Sequence, residues 1–226
     1  MRIRAFITLL AVAASLVAAA GAAAASPTIE MMVIGKTRTL LAPRSVTVKA
    51  TTVKIGRRRC RVAAGTALAA LIDARAKPRV TNVAGCDPAS MFVTKVGPDA
   101  NRGIAGWQYK IGHTSPSFSA GSTSGRLRRG QQVLWFWCAR ANACQRTLAI
   151  TVKSDRLTGI QRVTAIGYDD NGHGVKVAGA TVHIDAATTV TTGRDGTATF
   201  SVLPGRHTLY ASKAGLIQSF PQTVIR

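Results

Sequence analysis

The sequence predicts two folded units in series: a small α+β unit, with one helix packed on a mixed sheet, followed by an all-β sandwich. Three observations carry this reading. First, Leu68, Leu71 and Ile72 form one apolar stripe at helical spacing. Second, two alternating, aromatic-rich runs flank a long polar stretch and read as strands. They are Gly106-Trp107-Gln108-Tyr109-Lys110-Ile111-Gly112 and Gly130-Gln131-Gln132-Val133-Leu134-Trp135-Phe136-Trp137, and they hold all three tryptophans. Third, beyond residue 157 turn signals recur about every ten residues, the spacing of a sandwich.

The elements follow in order. Residues 1–25 read as an export signal: Arg2 and Arg4 lead, an apolar run follows, and Ala23-Ala24-Ala25 offers small residues for cleavage before Ser26. The apolar run is short for a membrane span, and no second one follows, so the cleaved chain is expected to carry no transmembrane segment. Residues 26–43, with Pro27, Pro43 and an apolar patch at 31–34, read as a short lead-in strand or a loose N-terminus. The first unit is placed at 44–152 in the order β-β-α-β-β-β. Its opening strands turn at Lys54-Ile55-Gly56, Thr66 caps the helix, and Pro78 stops it. A linker is expected at 153–159 and the sandwich at 160–226. Turns in the sandwich are marked by Asp169-Asp170-Asn171-Gly172, Ala178-Gly179-Ala180, Gly193-Arg194-Asp195-Gly196 and Leu203-Pro204-Gly205.

Cys60, Cys86, Cys138 and Cys144 form an even set in a chain with an export signal, which reads as two disulfides. Three pairings are formally possible. The expectation is Cys138–Cys144 across a short loop, with Cys60–Cys86. Zinc is not expected, because there is no Cys-x-x-Cys spacing and no histidine lies beside a cysteine pair.

The chain carries a formal charge of +21. Residues 26–150 hold 20 basic and 4 acidic residues, a balance of +16; residues 151–226 hold 8 and 5, a balance of +3. This fits an arginine-rich composition kept soluble by charge. It also fits attraction to an anionic cell-envelope polymer such as teichoic acid or acidic polysaccharide, or to lipid head groups. Export argues against a specific nucleic-acid partner.

No catalytic residues, metal ligands or cofactor are expected. A calcium loop counted from Asp169 places Gly174 at the sixth position but Ala180 where a bidentate acid is required, so a turn is the reading. Gly121-Ser122-Thr123-Ser124-Gly125 has threonine where a nucleophile elbow needs serine. His113, His173, His183 and His207 sit at turns or on strands, where a lone histidine is more often a surface or hydrogen-bonded residue than a general base. No asparagine follows Asn171 to serve a lysine isopeptide bond in the sandwich.

Three motifs in order, Gly65-Thr66-Ala67-Leu68, Gly106-Trp107-Gln108-Tyr109-Lys110-Ile111-Gly112 and Gly130-Gln131-Gln132-Val133-Leu134-Trp135, resemble the bacterial domains similar to the transcobalamin C-terminal domain. Gln131 stands where that family has an acid, and Gly112-His113 where it has asparagine-glycine. The second unit resembles carboxypeptidase-regulatory-like and bacterial immunoglobulin-like domains. It does so through Gly179-Ala180-Thr181-Val182, the run from Thr192-Gly193 to Thr199-Phe200, and Pro204-Gly205-Arg206-His207. The resemblance implies an immunoglobulin-like sandwich for that unit. For the first it implies a module that caps a corrin-like small molecule, though without the helical barrel that holds it in transcobalamins. Trp107, Tyr109, Trp135 and Trp137 are the candidate ligand-binding residues. The expectation places Trp107 in the core and leaves a partly exposed row at Trp135 and Trp137, with residues 115–125 forming a loop that closes over a ligand. The function expected is a non-enzymatic binding or adhesion module, secreted or at the cell envelope; a small-molecule carrier is the alternative.

Overall fold

The computed structural model describes residues 26–141, 143–155, 158–185 and 187–226, and the export signal read at 1–25 lies outside them. The described residues are mostly strand with one α-helix.

The first half contains β1 (Thr28–Ile34), β2 (Thr39–Thr47), β3 (Thr51–Ile55), β4 (Arg58–Val62), α1 (Ala67–Asp73), β5 (Arg79–Asn82), β6 (Met91–Val96), β7 (Asp99–Ala100), β8 (Gly106–Ile111) and β9 (Gln132–Cys138). One sheet runs β2-β1-β9-β8. It is mixed: β1 lies parallel to β9, and the other pairs are antiparallel. The segment expected to be a lead-in therefore supplies an inner strand. Its partner on one side, β9, lies about a hundred residues downstream, so no local pattern distinguishes it from a loose terminus.

A second layer covers one face of this sheet. It comprises α1, the β3-β4 hairpin and the small sheet β5-β6-β7. Between the layers lies the main core, with Met31, Val33, Val133 and Trp135 from the sheet and Leu68, Leu71, Val53, Val62 and Met91 from the layer above. Helix α1 starts where expected. The Ala69 N–H donates to Thr66 Oγ1 at 3.2 Å, satisfying a donor that the first turn leaves free.

The second half contains β10 (Thr147–Ser154), β11 (Ile160–Tyr168), β12 (Gly174–Lys176), β13 (Thr181–Ile184), β14 (Thr188–Thr191), β15 (Thr197–Ser201), β16 (Arg206–Ser212) and β17 (Gln222–Ile225). One sheet runs β10-β11-β12 with β15 also on β11; the other runs β14-β13-β16-β17. Leu148, Ile150, Val163, Val182 and Leu209 fill the core between them.

Two expectations are corrected here. Strand β10 pairs with β11 along its whole length, so it belongs to the second half rather than to a unit ending at 152. Residues 153–159 are not a linker. Lys153 to Asp155 finish or follow β10, Thr158 and Gly159 lead into β11, and the Asp155 N–H donates to Ile160 O at 2.8 Å. A polar, glycine-ended stretch reads alike as a linker or a hairpin turn, and only the pairing of the flanking strands separates the two.

The outer face of the first sheet is also covered. Met32, Ile34, Leu134 and Phe136 pack against Ile217 and Phe220 of the second half. Strand β9 is thus buried on both sides, and every residue from Val133 to Cys138 is inside. Both expected cysteine pairs come together, with Cα–Cα distances of 5.2 Å for Cys60–Cys86 and 5.1 Å for Cys138–Cys144. Among the described residues no helix is long and apolar enough to cross a membrane.

Candidate functional site

The four aromatic candidates form one cluster. Trp107 pairs across from Trp137, and Tyr109 from Trp135, so all four side chains share the face beneath α1. Trp107 and Trp137 meet edge to face with ring centres 6.0 Å apart; Tyr109 and Trp135 stack at 5.1 Å. The expected exposed row is corrected: Trp135 is 2% exposed and Trp137 6%. Spacing along each strand places Trp107 with Tyr109 and Trp135 with Trp137. It does not reveal that antiparallel register puts both rows on one face.

Their polar atoms are committed within the fold. The Trp107 Nε1–H donates to Asp99 O at 2.8 Å, and the Trp135 Nε1–H to Ala67 O at 3.3 Å. The Tyr109 hydroxyl donates to Phe118 O at 2.8 Å, and burial raises its pKa above the ordinary phenol range. The Lys36 ammonium lies over the Trp137 ring, 4.1 Å from its centre.

An opening reaches this cluster. A groove of about 410 Å³ is lined by Met91, Phe92, Trp107, Tyr109, Pro116 and Phe118, among others. It lies between β6, the free edge of β8 and the polar loop that follows β8. Phe92, 51% exposed, stands at its rim. The loop is fastened rather than free to close. Ser115 N–H donates to Asp170 O, Ser119 Oγ–H to Pro88 O, and Ala120 O accepts from Leu68 N–H at the start of α1. Gly121 is required there, because a Cβ would lie 2.6 Å from the Pro88 carbonyl oxygen.

On the opposite face of β8, Lys110 is fully buried. Its ammonium donates to Asp169 O at 2.7 Å and Tyr168 O at 3.1 Å, and lies 3.5 Å from the Asp170 carboxylate. Burial lowers its pKa below the usual lysine range, while Asp170 pulls in the other direction. An alternating strand reads Lys110 as a solvent-facing residue, and no sequence signal marked it. The Asp169-Asp170-Asn171-Gly172 turn is occupied with its own bonds. Asp169 Oδ1 accepts from Asn171 N–H at 3.0 Å and His173 N–H at 2.9 Å.

The positive charge is concentrated on the surface of the first half. Lys49, Lys54, Arg57, Arg58, Arg59 and Arg61 are all exposed, as are Arg126, Arg128 and Arg129. The ion pairs among the described residues are Lys110–Asp170, Arg146–Asp169 and two histidine–aspartate pairs, so none of these nine enters one. No family model, curated protein or solved structure matches the chain.

Proposed function

We propose that the protein is an exported, non-enzymatic binding or adhesion module that attaches to an anionic polymer of the cell envelope. In this reading an α+β module, similar to the transcobalamin C-terminal domain, carries the binding surface. The immunoglobulin-like sandwich behind it serves as its rigid base. The observation that carries the proposal is the charge: +16 over residues 26–150 against +3 over residues 151–226, with Lys49, Lys54, Arg57, Arg58, Arg59, Arg61, Arg126, Arg128 and Arg129 exposed and in no ion pair among the described residues. Unneutralised charge of one sign attracts polyanions and speeds their encounter. Two disulfides suit an oxidising compartment outside the cytoplasm.

The test uses the full chain, because the two halves share buried contacts. Binding to isolated envelope polymer should be strong at low salt and fall as salt screens the exposed charges. Charge-neutralising substitutions in residues 26–150 should weaken it more than an equal number in residues 151–226. Salt-independent binding, or no binding, would end this reading.

The groove beside Trp107 and Tyr109 supports a second reading, a small-molecule carrier. Its size lies within the usual range for ligand clefts, and Phe92, Trp107, Tyr109 and Phe118 contribute to its walls. A titration of tryptophan fluorescence with cobalamin and cobinamide tests it; no spectral change in folded protein removes it.

A further inference from the structure

We infer that the outer face of the β3-β4 hairpin is the docking site for the polymer, and that the polymer is a phosphodiester-linked chain. The inference rests on the envelope-binding reading and gives it a place and a ligand chemistry.

The hairpin pairs Lys54 with Arg59 and Thr52 with Arg61. Alternation sends Val53, Cys60 and Val62 into the core and leaves these four side chains on the exposed face. Arg57, at the turn, extends the same charge; Arg58, opposite Ile55, stands on the other side. Like charges directly opposite one another on an antiparallel pair destabilise it. A hairpin shaped for stability alone would alternate signs, and this one presents only positive charge.

The nearby carboxylates are engaged elsewhere. Asp87 accepts from Ala89 N–H and from the Ser90 hydroxyl in its own turn, and Asp73 accepts from Lys49 N–H at 2.7 Å. The hairpin is nevertheless held firmly, because Cys60–Cys86 ties it to the loop before residues 88–90. A stapled, repelling, solvent-facing array is preorganised for an anionic partner and has little ordering left to lose on binding.

The side chains indicate which anion. Cross-strand neighbours stand about 5 Å apart and same-face neighbours along a strand about 7 Å apart, a spacing that suits successive phosphates. Arginine presents a planar fork that binds phosphate oxygens in pairs. The face made by Thr52, Lys54, Arg59 and Arg61 holds no aromatic ring. Bases would therefore find no aromatic ring to stack on, only guanidinium planes, and sugar rings no flat apolar platform.

The test measures binding of the intact protein to poly(glycerol phosphate), polygalacturonate and single-stranded oligothymidylate over a salt series. Two charge-matched variants are compared, Lys54→Gln/Arg59→Gln/Arg61→Gln and Arg126→Gln/Arg128→Gln/Arg129→Gln. The hairpin variant should lose about tenfold or more in affinity for poly(glycerol phosphate), and its salt slope should fall by about 3, one per contact removed. The second variant should change little, and the wild type should prefer poly(glycerol phosphate) to the other two polymers. Equal losses in both variants would overturn the hairpin site and leave the envelope reading standing. A preference for polygalacturonate or oligothymidylate would overturn the phosphodiester assignment. Failure of the wild type to bind any of the three would overturn the envelope reading itself. Thermal melting guards against a folding artefact: removing like-charge repulsion should leave the hairpin variant's Tm equal or higher, and a lower Tm would make these side chains structural.

Discussion

The Lys110 ammonium lies 2.7 Å from the carbonyl oxygen of Asp169, 59 residues further along the chain. This contact joins a strand of the first half to a turn of the second. It sits beside the apolar seam formed by Leu134 and Phe136 with Ile217 and Phe220. An ammonium buried without partners would be strongly unfavourable, and here two carbonyls and a carboxylate compensate it. The halves are therefore packed on each other rather than strung on a linker.

The first prediction follows from the pKa of Lys110. A lysine with a depressed folded pKa binds fewer protons in the folded than in the unfolded state, between that value and the ordinary one of about 10.4. Its contribution to stability therefore rises with pH across that window. Denaturant titrations of wild type and Lys110→Met at about pH 7 and about pH 10 should show the difference moving in favour of the wild type at the higher pH. A constant difference would mean that the ammonium is solvated.

Trp107 and Trp135 are core residues, so Trp107→Ala and Trp135→Ala should each cost about 3–5 kcal/mol. Phe118→Ala, on the half-buried wall of the groove, should cost less. Equilibrium unfolding ranks the three. A near-neutral Trp135→Ala would contradict its burial under α1.

The disulfides should differ in weight. Cys60 and Cys86 are 26 positions apart, Cys138 and Cys144 only 6. On chain entropy, removing the first should cost about 3.5 kcal/mol and removing the second about 2 kcal/mol. Unfolding of Cys→Ser pairs measures this, with non-reducing peptide maps to check the connectivity. A larger loss from the shorter loop would refute the entropic ordering.

Gly121→Ala forces a methyl against the Pro88 carbonyl, where both partners are backbone and neither yields cheaply. Gly125→Ala directs its methyl into the Phe118 ring, a side chain able to swing away. The first substitution should lower stability by about 1–3 kcal/mol. The second should be milder and should change the groove instead. Melting temperatures paired with tryptophan emission, which reports on the groove wall, distinguish the two outcomes.

Much of this arrangement was legible in the sequence, and the illegible parts share a cause. The β3-β4 hairpin, the Thr66 cap, the two aromatic strands and both cysteine pairings depend on neighbours within a few dozen residues. The inner position of β1, the membership of β10 in the second half, and the burial of Lys110 depend on distant partners. Lys110 stands where alternation calls for solvent, and nothing local announces that residues 168–170 will cover it. The aromatic row at Trp135 and Trp137 was misplaced for a related reason: the face of a strand is legible, but whether a second layer covers it is not.

The place of β1 has a consequence for how the chain acquires its shape. Glu30 on β1 and Gln132 on β9, joined side chain to side chain, are 102 residues apart. Strand β1 must therefore wait on that side for one of the last strands of its half. Loops of this length slow the search for native pairing, so the amino-terminal segment stays unpaired on that edge while most of the first half is synthesised. The mixed sheet is therefore among the later parts of the first half to close. It is complete only once β9 has been made and has aligned beside β1.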